Sequence, residues 1–164
     1  VARRAQGMIA RYRAGVTELS ARAPSSGALN ELRICVFVRK RPLLADESKA
    51  GSFDVVTPSS RDVGPSLVMH EPKTQVDLSK AMDNHTYKFD GVFGEGATNR
   101  RIFETALRQM LRHLFASRGG HGTCFAYGQT GSGKTYTMEG PPENRGVNLR
   151  CLEELFRLEC EVTF

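Results

Sequence analysis

The chain has 164 residues, 40% of them hydrophobic and 25% charged, with a net charge of +5. That length and composition suit one soluble globular domain with a sizeable core, and no run approaches the ~20 apolar residues that a membrane-spanning helix needs. Cys35, Cys124, Cys151 and Cys160 form no Cys-x-x-Cys pair and no Cys/His cluster. This pattern excludes a zinc ribbon and predicts buried, reduced thiols in a reducing compartment.

The charge is uneven. Arg3, Arg4, Arg11, Arg13 and Arg22 stand against Glu18 alone in residues 1–30, which therefore carry +4. Such a segment suits an acidic polymer (nucleic acid, an anionic membrane or an acidic protein lattice), a solvated helix face, or a transit peptide. The chain opens at Val1 rather than at Met. Met8, Ile9, Tyr12 and Val16 lie near helical spacing and predict a helix over 3–21, weakened by Gly7 and Gly15. Residues 23–27, with Pro24 and Gly27, read as a linker.

Residues 32–38 are β-branched and aromatic and predict a strand, which Pro42 keeps from continuing. Residues 43–86 are polar and turn-rich. Strand-like pieces at 54–57 and 67–69 make them a small excursion from the main sheet, and 87–89 is a further short strand. Ile102, Phe103, Ala106, Leu107, Met110, Leu111, Leu114 and Phe115 repeat every three or four positions, predicting a helix over 98–117. Thr98 or Asn99 can cap it and Gly119 can end it.

The short apolar run 122–127 reads as a buried parallel strand. It leads into Gly128-x-x-x-x-Gly133-Lys134-Thr135, the full phosphate-loop pattern. The bland alternative is a Gly/Ser-rich surface loop. In the functional reading, the backbone of Gly128, Gln129, Thr130, Gly131, Ser132 and Gly133 wraps the phosphates, because glycine tolerates positive φ and close approach. Lys134 reaches the β- and γ-phosphates, Thr135 puts its hydroxyl on Mg2+, and a helix opening at 134–138 adds its dipole. Residues 139–146, with Pro141 and Pro142, interrupt that helix. Helical spacing resumes over 149–158 through Leu149, Leu152, Leu155 and Phe156, and 161–164 look like the opening of another strand. His70, His85, His113 and His121 are scattered and read as structural or solvent-facing rather than catalytic, and Glu139 sits in a turn rather than acting as a base.

Residues 125–138, Phe-Ala-Tyr-Gly-Gln-Thr-Gly-Ser-Gly-Lys-Thr-Tyr-Thr-Met, resemble the phosphate loop of kinesin motor domains. Arg39-Lys-Arg-Pro42 is similar to the family's Arg-x-Arg-Pro element, which lies against adenine, and 89–93 to the segment before its first large helix. Without the resemblance, Arg39 to Arg41 is a solvated charge run. With it, Arg39, Arg41 and Pro42 are adenine-side candidates, joined by the Tyr136 ring, since a guanidinium and a proline ring can sandwich a purine. The resemblance implies an α/β fold of the phosphate-loop NTPase type, with a mixed, mainly parallel central sheet and helices on both faces, truncated at its C-terminus. It divides the chain into a basic, neck-like helical segment and linker at 1–30 and the N-terminal part of a motor domain at 31–164.

Residues 68–80 and 83–85 look like the extended loop of the internal-motor, microtubule-depolymerising class, and 8–13 like part of its basic neck. That class carries Lys-Val-Asp at the loop tip; here the triplet is Gln75-Val76-Asp77. One cation fewer against an acidic lattice weakens an exposed contact by no more than about 1 kcal/mol. The implied microtubule contacts are Gln75, Val76 and Asp77 with Arg3, Arg4, Arg11 and Arg13. The implied cofactors are ATP and Mg2+. Tubulin is the implied partner, with neither nucleic acid nor membrane, in the cytoplasm on the microtubule cytoskeleton. Asn-x-x-Ser-Ser-Arg-Ser-His and Asp-Leu-Ala-Gly-x-Glu, through which kinesins sense the γ-phosphate, do not occur in these residues. No catalytic residue is therefore assigned within the fragment, while the complete protein is expected to be a microtubule-stimulated ATPase. A walking kinesin, another phosphate-loop enzyme such as a small kinase or GTPase, and a non-hydrolysing basic microtubule-binding remnant are the alternatives. The long loop at 66–80 and a neck that precedes the motor favour the depolymerase over the walker.

Overall fold

The computed structural model describes residues 2–15, 34–60, 63–116 and 121–162. They form two compact units, one built from α1 (Ala2–Gly15) and residues 36–96, the other containing residues 97–162. The predicted linker at 23–27, residues 16–21 of the predicted first helix and the helix stop at Gly119 lie outside the described residues.

The first unit is a four-stranded sheet in the order β1-β4-β3-β2. β1 (Phe37–Arg39) runs parallel to β4 (Lys80–Phe93), with Phe37 opposite Gly91. β3 (Val63–Thr74) pairs antiparallel with β4 along its length and with β2 (Val56–Pro58) at 67–69. Of the strand expected over 32–38, residues 34–36 are not strand and β1 runs on to Arg39, while 32 and 33 lie outside the described residues. The supposed excursion at 43–86 is instead the greater part of this sheet. The outer part of the ribbon, residues 71–80, is exposed on both faces, so it has the polar composition of a loop yet still ladders. Pro72 is tolerated inside β3 because it lies beyond the end of β2 on the same edge as His70, whose N–H reaches Val55 O at 2.8 Å, so no ladder bond is lost there.

α1 packs on this sheet through one face. Ala5 and Ile9 are buried, and the Tyr12 ring meets the His70 ring edge-on at 4.8 Å. His70 is itself buried, with Nδ1 2.6 Å from Asn84 Oδ1 and Nε2 2.8 Å from Thr57 Oγ1. Arg13 completes the face, donating to Thr57 Oγ1, to the Val56 carbonyl and to Asp54 Oδ2 at 2.7 Å. Asp54 also accepts from Lys40 at 2.5 Å, and Lys40 reaches Glu95 at 2.6 Å. Burial pushes the Asp54 carboxyl up, but Lys40, the Val56 amide and Arg13 together outweigh it and hold the carboxyl below its usual range.

In the second unit the helix expected over 98–117 is present but not uniform. α3 (Asn99–Ile102) and α4 (Arg108–Ala116) are joined by a π-helical stretch, Phe103–Leu107. Thr98 is the cap, its hydroxyl accepting from Arg101 N at 3.2 Å. Ile102 and Leu107 are five residues apart, which an α-helix would turn to different faces; the wider π turn lets Ile102, Phe103, Leu107 and Leu111 all be buried. α5 (Lys134–Met138), a 3-10 turn (Pro142–Asn144) and α6 (Val147–Val162) follow. α6 continues through the residues read as an opening strand at 161–162, since nothing in that stretch breaks a helix.

Two further expectations fail. Residues 121–128 form no strand, and Phe125 and Tyr127 are exposed. A strand exists only by laddering with a neighbour, and every described strand belongs to the other unit. The mixed α/β character therefore holds, but β1–β4 is the parallel pair among the described ladders. On α6, Leu149, Leu152 and Phe156 face solvent, while Val147 and Glu154 are buried. Glu154 is clamped by Arg157 at 2.7 Å and by Arg112 of α4 at 3.2 Å, which keep its carboxyl below the usual range and fix that face of α6 toward α4. The cysteines are not buried: Cys35, Cys124 and Cys160 are exposed and Cys151 is half-buried.

Replacing Asp54 by Asn leaves Lys40 and Arg13 without their shared anion. The expected cost is about 1.5–3 kcal/mol, and hydrogen exchange should show α1 amides losing protection ahead of the rest of the sheet.

Candidate phosphate-loop site

The residues of the glycine loop come together as the pattern requires. Gly131 and Gly133 have φ of 80° and 94°, the left-handed region that a Cβ disfavours. A Cβ on Gly128 would lie 2.5 Å from Ser132 Oγ, so the loop closes tightly on itself. Ser132 N donates to Gln129 O at 3.2 Å across the turn containing Thr130. Lys134 folds back over the loop, its ammonium donating to the carbonyls of Gly128 at 2.8 Å and Gln129 at 2.9 Å. Thr135 is exposed at the second position of α5. The hydroxyl is thus open to solvent, and the ammonium is held by two main-chain carbonyls at the loop. The set fits a magnesium–nucleoside triphosphate. α5 spans five residues, so the dipole contribution expected from it is small.

Around this loop stands a support that the sequence reading missed. Asn99, fully buried, donates to the carbonyls of Tyr136 at 2.9 Å and Asn144 at 2.8 Å. Asn144 Nδ2 donates in turn to the Tyr136 hydroxyl at 3.0 Å. The sequence offers Asn99 only as a possible cap; Thr98 takes that role, and the Asn99 amide makes tertiary contacts instead.

The other adenine-side candidates belong to the first unit. Arg39 lies in β1, opposite Phe93. Arg41 is not a free cation: its guanidinium grips Glu47 of α2 (Ala45–Lys49) bidentately, at 2.6 and 2.8 Å, and donates to Pro42 O at 3.0 Å. The Arg41 hydrogen bonds, with the Leu44 amide, hold the Glu47 carboxyl down to about 2 from its usual 4.5. Glu47 is the missed partner; with Leu44 rather than Ser or Thr three residues before it, the usual capping signature is absent.

The β3–β4 hairpin carries Gln75, Val76 and Asp77 at its tip. Asp77 Oδ1 accepts from Ser79 N at 2.9 Å and Gln75 Oε1 from the Ser79 hydroxyl at 2.8 Å, leaving Val76 wholly exposed. Leu78, also exposed, takes a φ of 63°. Below the tip, Lys73 pairs with Asp83 at 2.6 Å and His85 Nε2 lies 3.0 Å from Glu71 Oε2, polar contacts across the two strands. Arg3, Arg4 and Arg11 of α1 are exposed, whereas Arg13 is tied to the sheet.

The sequence profile of the family described as "Kinesin motor domain" matches residues 39–162. The chain belongs to that family. It is 40% identical to the kinesin-like protein KIF24 of Homo sapiens over 129 residues, and 40% identical to that of Mus musculus over the same length. In each case the match covers 79% of this chain and 9% of the relative, so the chain spans about a tenth of those relatives' length. Among solved structures it is similar to a fast kinesin described for its ATPase mechanism and interactions with microtubules. That match has a TM-score of 0.61 and 31% identity, over 81% of this chain and 34% of the other. The kinesin resemblance of the phosphate loop is therefore borne out at the level of family and fold. No helix among the described residues is long and apolar enough to cross a membrane.

The Glu47 shift has a testable sign. Its carboxyl is held down in the folded chain, so the pair contributes stability above about pH 4.5 and loses it as pH falls toward 2. Carbon-13 NMR should find Glu47 titrating near 2. Arg41→Gln should return it toward the ordinary carboxylate value, with no change at Asp77.

Proposed function

We propose that this chain is the nucleotide-binding part of a microtubule motor. The glycine loop carries the reading. Gly131 and Gly133 turn the backbone, Lys134 stands across the loop mouth and Thr135 offers its hydroxyl beside it, a set that suits the phosphates and Mg2+ of ATP. In this reading Gly128 to Gly133 contact phosphate oxygens through main-chain N–H groups. Lys134 neutralises their charge, and Thr135 ligands the metal. On the loop's own unit Tyr136 bounds the base, while Arg41, in the other unit, is engaged by Glu47 and the Pro42 carbonyl. ATP hydrolysis would belong to the complete protein, with the motifs that sense the γ-phosphate supplied outside these 164 residues.

The same reading assigns the hairpin to tubulin. A 12-residue and a 14-residue strand project a tip whose Val76 and Leu78 side chains are exposed, and exposed apolar groups on a rigid ribbon suit insertion at a protein lattice. Arg3, Arg4 and Arg11 would add a basic face toward an acidic surface. This arrangement favours microtubule shortening from the ends over walking. A non-hydrolysing basic remnant would need the arginines but not the loop. It is separated by asking whether microtubule binding responds to ATP.

Lys134→Ala should weaken binding of Mg·ATP by about 10–100-fold, from loss of a charged hydrogen-bond donor, measured by isothermal titration. Unchanged affinity would remove the loop from the site. In the complete protein, Val76→Asp should abolish ATP-dependent shortening of stabilised microtubules while leaving ATP affinity unaltered. A variant that shortens them at the normal rate would exclude the hairpin tip from that contact.

A further inference from the structure

We propose that Asn99 is a positioning residue for the purine base of the bound nucleotide, acting through Tyr136; this rests on the reading of residues 128–135 as an ATP loop. Asn99 is fully buried at the first position of α3, directly after the cap residue Thr98. Both of its described donations go to main-chain carbonyls 37 and 45 residues away, Tyr136 O at 2.9 Å and Asn144 O at 2.8 Å. Two acceptors fix which end of the amide is NH2. Asn144 then donates to the Tyr136 hydroxyl at 3.0 Å. Tyr136 is therefore held at both ends, by its carbonyl and by its phenol, with Asn99 as the common anchor.

Space around the clamp is tight. A Cβ on Gly140 would fall 2.3 Å from Asn144 O and 2.8 Å from Asn99 Nδ2, and one on Gly146 would fall 2.3 Å from Met138 O. The segment between α5 and α6 thus lies directly against the amide, and Gly146 N closes it with a 2.6 Å bond to Glu139 O. The Tyr136 ring stays half-exposed, one residue beyond Thr135, where an aromatic face can receive a base. A ring whose rotation is already restrained costs less to order when the base stacks on it. The clamp should therefore matter for the base and not for the phosphates, which the loop holds by its own backbone and Lys134.

The test compares Mg·ATP with Mg·tripolyphosphate, which has the phosphates and no base, by isothermal titration on the whole chain. Asn99→Asp keeps the shape and removes both donors. It should bind ATP about tenfold more weakly and tripolyphosphate as the parent chain does. Asn144→Ala, at a half-exposed side chain, cuts only the phenol link and should give a smaller loss of the same kind. If Asn99→Asp fails to give a cooperative melt, Asn144→Ala alone decides. A selective loss of ATP binding supports the role, and no selective loss overturns it. Equal weakening toward both ligands in Asn99→Asp overturns it too, since the clamp would then merely brace the loop. A parent chain that binds neither ligand overturns the ATP-loop reading and this proposal together. A parent chain that binds both, with variants indistinguishable from it, overturns only the role of Asn99.

Discussion

The Lys134 ammonium, held by the carbonyls of Gly128 and Gln129, is the interaction on which the site depends. It closes the loop from its last residue back to its first, across two glycines in the left-handed region. A lysine is suited to this because its three donors can serve carbonyls and phosphates in turn, as a point charge on a flexible stem. Nothing else in the loop carries a formal charge, so its affinity for an anion rests on this one cation and on backbone N–H groups.

Each unit is otherwise organised by one or two anchoring polar groups. In the first, Asp54 gathers Arg13 and Lys40, and through Arg13 it ties the N-terminal helix to the sheet. In the second, Asn99 gathers the segments on either side of the turn after α5, and Glu154 gathers Arg112 and Arg157. These groups set which backbone meets which. The apolar residues beneath them, among them Ile9, Val92, Phe93, Leu107 and Val147, supply the burial that no polar contact replaces.

Sequence revealed the glycine loop because its chemistry is local: eight consecutive residues contain the turn, the charge and the hydroxyl. Helical spacing likewise placed the long helix after Thr98, and its cap was named correctly among two. What the sequence concealed is non-local. The polar composition of residues 71–88 hid a long hairpin, since a strand exposed on both faces reads like a loop. The apolar run 122–127 suggested a strand that has no ladder partner among the described strands. The spacing of Leu149, Leu152 and Phe156 placed a helix correctly, but α6 is oriented by Val147 and the arginines around Glu154, which the spacing did not reveal. Arg13 and Arg41 looked like free cations; their partners, Asp54 and Glu47, become visible only when the chain is folded. Asn99 gave no signal beyond its place near a helix start.

Amide chemical-shift mapping on addition of Mg·ATP tests the central claim most directly. The account predicts that the largest shifts fall at Gly128, Gly131, Gly133, Lys134 and Thr135, with the hairpin tip at Val76 and Asp77 unmoved. Shifts confined to residues outside the loop, or none at saturating nucleotide, would contradict it.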